Sequence, residues 1–254
     1  MSLGALDRRL SAHIHSLELP RWLEALVAPF GCLHGYVGTG VVMPLLWFGA
    51  CAALGQVDSR GWPGWFLYMY TAAVGQVMSR CLKILLRRTR PGMDVSDKAQ
   101  LPRRHFLPGS PAYIAAYPLD VLQQSLLVRV GGMQRGHAKG GSGAMAGDSG
   151  AFPSGDSMGG AAFGVMLAYF TPLGFWGGVC YAALPAFARV YYWFHWLADV
   201  LAGAATAALA GQIVLWLNDG DMAACTLDAF FLKALPAFAI FSVVTHFVAK
   251  ALQQ

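Results

Sequence analysis

The chain has 254 residues, of which 56% are hydrophobic and only 12% charged, with a mean hydropathy of +0.49. An ordinary soluble domain carries about 25% charged residues, so this composition excludes a fully water-facing surface and points to an integral membrane protein. The net charge of +5 and pI near 9.0 suit an anionic partner. The cations flank apolar segments instead of covering a soluble face, which argues against nucleic acid and for anionic lipid or a phosphorylated substrate.

In chain order, the first segment is amphipathic. Leu3, Leu6, Leu10, Ile14 and Leu17 recur at helical spacing, which predicts an interfacial helix within residues 1–30. Asp7, Arg8, Arg9, Glu18, Arg21 and Glu24 interrupt this stretch, so it does not read as a secretory signal. Residues 33–55 are uncharged and apolar, and 62–86 follow with Arg80 and Lys83 in the last turns. A polar, Gly- and Pro-rich region lies near 92–152. Within it, 118–130 places Leu119, Leu122, Leu126 and Leu127 near one face of a surface helix, and 131–150 reads as a glycine-rich tether.

The stretch 157–188 is uncharged, and TPLG at 171–174 divides it into two short helices. Apolar segments near 191–217 and 229–249 complete the chain. The expected fold is all-α: a six-transmembrane helical bundle, counted at about 20 apolar residues per span, with an N-terminal interfacial helix. Domain organisation follows, with the amphipathic helix at 1–30 and a membrane domain at 31–254. The five cysteines, Cys32, Cys51, Cys81, Cys180 and Cys225, are widely spaced and mostly within apolar runs. They read as small hydrophobic residues, with no disulfide or metal spacing.

Three segments carry chemistry. In KILLRRTRP (83–91) and the turn before it, Arg80, Lys83, Arg87 and Arg90 fall on one helical face. Like charges at that spacing repel, and a bound anion would remove the cost. A plain cytoplasmic positive flank has the same appearance. In FPSGDSMGG (152–160), Ser154 is placed to cap a helix whose first N–H groups form an anion site. In RVYYWFHWLAD (189–199), His195 and Asp199 are four apart and share a helical face. A carboxylate on one ring nitrogen fixes the tautomer and sharpens the other nitrogen as base or nucleophile. A structural His–Asp pair is the plain alternative, but ionisable groups at membrane depth are costly, so function is the default hypothesis. Counting spans from the N-terminus brings all three segments to one membrane face. That face holds most of the Arg and Lys, which the positive-inside rule assigns to the cytosol.

Lys83, six residues, Arg90-Pro91; then Pro153-Ser154-Gly155; then Arg189, five residues, His195, three residues, Asp199: this order resembles the three-part signature of the type 2 phosphatidic acid phosphatase family, the lipid phosphate phosphatases. Glucose-6-phosphatase and the vanadium haloperoxidases share that core. The resemblance covers about residues 62–217. It implies that Lys83, Arg90, Arg189, Ser154 and the Gly155 N–H hold a phosphate, that His195 attacks phosphorus and that Asp199 orients His195. It implies no metal and no other cofactor, and a lipid phosphate or isoprenoid diphosphate as substrate. Phosphoryl transfer suits such a cationic cradle.

One position departs from the family pattern, which reads Pro-Ser-Gly-His: here Asp156 follows Gly155. The family histidine would protonate the leaving oxygen. Three readings follow. Asp156 does this work itself, although the nearby cations oppose its protonation; or the leaving group needs little acid help, as with a diphosphate; or the protein binds phosphate and turns it over weakly. His105 and His137 in the loop region could also supply the proton, though nothing in the sequence places them at the site. A phosphotransferase would use the same phosphohistidine. A transporter fits less well, because no midplane charge cluster or repeat is visible.

Overall fold

The computed structural model describes residues 2–31, 33–34, 38–86, 88, 151–192 and 194–218. The polar region up to residue 150, with the surface helix and tether expected there, the last apolar segment near 229–249, Arg87, Arg90, His105, His137, Cys32 and Cys225 lie outside the described residues.

Among the described residues the fold is all-helical. The helices are α1 (Leu3–Ser16), α2 (Arg21–Val27), α3 (Met43–Ala53), α4 (Trp62–Leu86), α5 (Gly155–Phe170), α6 (Gly174–Tyr191) and α7 (Leu197–Leu217). Short turns join them, a 3₁₀ turn at Ala28–Gly31 and π turns at Gly38–Val42 and Val57–Gly61. By length and composition, α7 is the one helix among the described residues that is long and apolar enough to cross a membrane.

Several expected boundaries recur. Helix α4 covers the predicted range 62–86, and the chain breaks between α5 and α6 at TPLG. Pro172 cannot continue a helix, the Thr171 hydroxyl closes α5 by donating to the Leu167 carbonyl at 2.7 Å, and Gly174 takes a φ of +59°. Two boundaries differ. In the apolar run 33–55, residues 33–34 form a turn and not helix, and a π turn at Gly38–Val42 leads into α3. The run 191–217 starts its helix at Leu197, because the Phe194 and His195 N–H groups turn back to the Arg189 carbonyl.

Helix α5 packs against α4, α6 and α7. Its sequence GDSMGGAAFG is rich in small residues, which let neighbouring helix backbones approach closely. A Cβ on Gly164 would come within 2.5 Å of the Gly178 carbonyl oxygen, and one on Gly178 within 2.3 Å of that of Gly164. A Cβ on Gly203 of α7 would come within 2.5 Å of the Ser154 carbonyl oxygen. An aromatic core fills the other side of α5. Phe163 packs edge-on to Trp47 and Tyr68 and tilted against Tyr181, and the Trp47 indole N–H donates to the Gly61 carbonyl at 2.8 Å.

Three backbone hydrogen bonds gather four helix ends. The Ala151 N–H donates to Arg88 O (2.7 Å), the Ser154 N–H to Asp199 O (2.9 Å) and the His195 N–H to Arg189 O (3.2 Å). The end of α4, the start of α5, the end of α6 and the start of α7 therefore meet. At the opposite helix ends, Trp62, Phe175, Trp176 and Trp216 are all exposed. Of the three cysteines among the described residues, Cys51 is buried, Cys81 half-buried and Cys180 exposed.

Candidate active site

The turn between α6 and α7 carries the histidine. Arg189 lies in the last turn of α6, and its carbonyl accepts from the N–H groups of Phe194 (2.9 Å) and His195 (3.2 Å). This fixes the backbone of His195 to that of Arg189. His195 is 1% exposed and Asp199 fully buried. The two do not share a helical face, as their spacing had predicted. His195 precedes the helix, and Asp199 occupies its first turn. They meet all the same, with Nδ1 of His195 3.6 Å from Oδ2 of Asp199.

The Asp199 carboxylate is fixed from several directions. Its Oδ2 accepts from the Trp196 N–H at 2.9 Å, and its Oδ1 from Nη1 of Arg88 at 2.9 Å. Reaching back to the N-cap N–H satisfies a donor that the helix itself cannot, and the positive end of the helix dipole favours the carboxylate there. Arg88 is a residue that motif reasoning passed over, although it stands between Lys83 and Arg90 in the same basic run.

Ser154 is buried and caps α5, its Oγ accepting from the Ser157 N–H (3.4 Å) and the Ser157 hydroxyl (3.0 Å). The first-turn N–H groups of α5, which lack helical acceptors, open at the gathered helix ends. Arg189 stands beside them. Its Nη1 donates to the Gly31 carbonyl at 2.7 Å, its Nη2 lies 3.2 Å from Oδ2 of Asp156, and its guanidinium stacks over the Phe194 ring at 4.4 Å. Arg189 is 8% exposed, and its Nε has no hydrogen-bond partner among the described residues. A buried guanidinium N–H left without an acceptor is costly, and an oxyanion would satisfy it.

Lys83 lies in the last turn of α4. It follows by seven residues Gln76, whose Nε2 stands 4.0 Å from where a Cβ on Gly155 would be. Seven residues make about two turns, so Lys83 continues the α4 face that abuts the start of α5. The structure thus brings His195, Asp199, Arg189, Ser154, Gly155 and Asp156 to one end of the bundle, with Lys83 on the adjoining face, while Arg90 lies outside the described residues.

Sequence reasoning also missed Asp7 and Ser11. Both contact the start of α7: Oδ1 of Asp7 accepts from the Ala198 N–H and Oγ of Ser11 from the Leu197 N–H, each at 2.8 Å. The available signal was a polar run at helical spacing, Asp7, Ser11 and His15. It runs along α1 beside the stripe of leucines, about a quarter-turn round the helix.

Neither curated proteins nor solved structures gave a match to this chain. Comparison with protein families matches residues 64–222 to the PAP2 superfamily. That span contains every candidate site residue named from the sequence, from Lys83 to Asp199, and covers well over half of the chain. This chain therefore belongs to the PAP2 superfamily, whose members act as phosphatases on phosphate esters.

Proposed function

We propose that the protein is a multi-pass membrane phosphatase that hydrolyses a lipid phosphate or isoprenoid diphosphate through a phosphohistidine on His195, without a metal. The observation that carries this reading is the convergence of a buried His–Asp pair, a buried arginine and a helix N-terminus, drawn from three separate helix ends. In the proposed reaction the His195 nitrogen turned away from Asp199 attacks phosphorus. The P–O bond to the lipid breaks, and the leaving oxygen takes its electron pair and a proton. Water then cleaves the P–N bond, releasing phosphate and restoring the imidazole. Arg189, Lys83, Arg90, Ser154 and the Gly155 N–H hold the equatorial oxygens, where fixed donors stabilise spread negative charge.

The membrane reading is supported by the exposed apolar side chains of α3, α6 and α7, such as Leu45, Phe175, Leu201 and Leu209, and by exposed tryptophans at the helix ends far from the site. Tryptophan favours the boundary between hydrocarbon and water. In this reading the apolar segments starting near 33, 62, 157, 174, 191 and 229 each span a bilayer of about 30 Å, residues 1–30 lie along its surface, and 31–254 form the phosphatase domain. The site then lies at headgroup depth, where a lipid enters laterally. The site and both termini face the cytosol, which protection of a terminal tag from protease in sealed cells would overturn.

The test is phosphate release by purified protein in detergent, with a chelator present, from phosphatidate, a sphingoid-base phosphate and a prenyl diphosphate. We expect release from at least one, unaffected by the chelator, and its loss by about 10³-fold or more in His195→Ala, the scale on which nucleophile removal acts. Inactivity toward the whole panel would overturn the reading.

A second reading, a weakened phosphate-binding member, is favoured by one observation. Asp156 stands where the family has histidine, and its carboxylate rests on Arg189. Asp156→His separates the two: a large gain from near-zero activity supports the weakened member, and a loss from substantial activity supports Asp156 as the working acid.

A further inference from the structure

An amphipathic helix at a protein surface ordinarily buries its apolar stripe. Helix α1 does the reverse. Leu3, Leu6 and Leu10 are exposed, while Ser11 and His15 are buried. The inward face is the polar run Asp7, Ser11 and His15, and each of these side chains bonds to the loop that carries His195 or to its flanks.

Two of the first N–H groups of α7 have no acceptor within that helix. Asp7 takes one, from Ala198, and Ser11 the other, from Leu197, each at 2.8 Å. The Ser11 hydroxyl also donates back to the Asp7 carbonyl at 2.8 Å. At the other side of the loop, Nδ1 of His15 lies 2.6 Å from the carbonyl oxygen of Tyr191, the last residue of α6. Helix α1 therefore clamps both ends of the segment 192–196.

The second oxygen of Asp7 reaches further. Its Oδ2 pairs with Nη2 of Arg88, whose Nη1 donates to Oδ1 of Asp199 at 2.9 Å. The Arg88 guanidinium lies 5.8 Å from the centre of the Trp196 ring, and its carbonyl accepts from the Ala151 N–H. One planar guanidinium thus spans two carboxylates in a fixed fork. Arg189, by contrast, has one nitrogen without a hydrogen bond among the described residues.

We propose that Asp7 and Arg88 are positioning residues of the phosphatase centre: Asp7 fixes Arg88, Arg88 fixes Asp199, and Asp199 orients His195. Helix α1 is thereby part of the active site. The proposal rests on the reading of His195 as the group that accepts the phosphoryl. Arg88 acts through Asp199 and does not hold the phosphate, a task that falls to Arg189.

The test compares wild type, Asp7→Asn, Arg88→Lys, Arg88→Met and the Asp7→Asn/Arg88→Met double variant in the full-length protein. Three readouts are needed: kcat, KM, and inhibition by orthovanadate, an oxyanion probe of the phosphate site. Asparagine keeps an oxygen for the Ala198 N–H and removes the charge facing Arg88. We expect kcat to fall about 10- to 100-fold in Asp7→Asn and Arg88→Met, the scale of outer-shell partners. KM and vanadate inhibition should stay within about twofold, and Arg88→Lys should recover part of kcat. Because the two side chains act in one chain, the double variant should cost little more than the worse single one.

Wild-type kcat in both single variants would overturn the inference while leaving the phosphatase reading intact. Fully additive losses would overturn it too. So would loss of vanadate inhibition together with kcat, the signature of a collapsed site or of a direct phosphate ligand. A wild-type protein inactive on every substrate would overturn the phosphatase reading and this inference together.

Discussion

Two helix N-termini meet at the same end of the bundle, and they are finished in different ways. The start of α5 caps itself: Ser154 accepts from Ser157 three residues on, and nothing remote is needed. The start of α7 is capped from far away in the chain. Asp199 takes the Trp196 N–H, and Ser11 and Asp7 of α1 take the next two. A self-capped terminus can leave its dipole facing outward, which suits an anion that comes and goes. A terminus fixed by several partners cannot shift, which suits a residue that must hold one orientation through a reaction.

That contrast can be broken at several points. The largest structural effect is expected where the two termini touch. Gly203→Ala places a methyl within 2.5 Å of the Ser154 carbonyl oxygen and 3.2 Å of the Met158 nitrogen, both backbone atoms that cannot swing aside. Thermal unfolding in detergent should show a loss of about 1–3 kcal/mol, the range for overpacking, and kcat should fall because α5 and α7 are pushed apart. An unchanged melting temperature would show that the contact is slack.

Next comes the ion pair at the outward-facing terminus. Asp156 holds Nη2 of Arg189 at 3.2 Å, a place that a phosphate oxygen would take. Removing the competing charge with Asp156→Asn should tighten orthovanadate inhibition by about tenfold, equivalent to one charge-assisted hydrogen bond of about 1.4 kcal/mol. If Asp156 is also the proton donor, kcat falls in the same variant. Weaker vanadate inhibition would mean that the carboxylate organises Arg189 instead of competing for it.

The smallest effects separate the two serine caps. Ser154→Ala should cost about 1 kcal/mol of stability, the usual cost of losing an N-cap, and should weaken vanadate inhibition because α5 frays at the proposed anion site. Ser11→Ala removes only one of the remote caps of α7 and should lower kcat a few-fold, with vanadate inhibition held within about twofold. The reverse pattern would mean that the roles assigned to the two termini are exchanged.

Much of the site was readable without coordinates. Ser154, Arg189, His195 and Asp199 stand in ordered blocks at short spacing, and local rules of capping and turns place them. The break at 171–174 and the extent of α4 were legible for the same reason, since Pro172 and Gly174 act on their own neighbours. The relation of His195 to Asp199 was legible as proximity but not as geometry. A spacing of four suggests one helical face, yet the helix begins between the two residues.

By itself, the sequence determined the helical class, the family and the blocks from which the candidate site is drawn, because periodicity, breakers and motif spacing are local properties. Only the tertiary structure decided that Arg88 is the partner of Asp199 and that Asp7, Ser11 and His15 turn inward while the leucines of α1 face out. The reason is physical. A helix with one apolar and one polar face declares its two sides, but which side is covered depends on what lies against it. Here the uncapped N–H groups of α7 demanded polar partners, and a segment more than a hundred and eighty residues away supplied them.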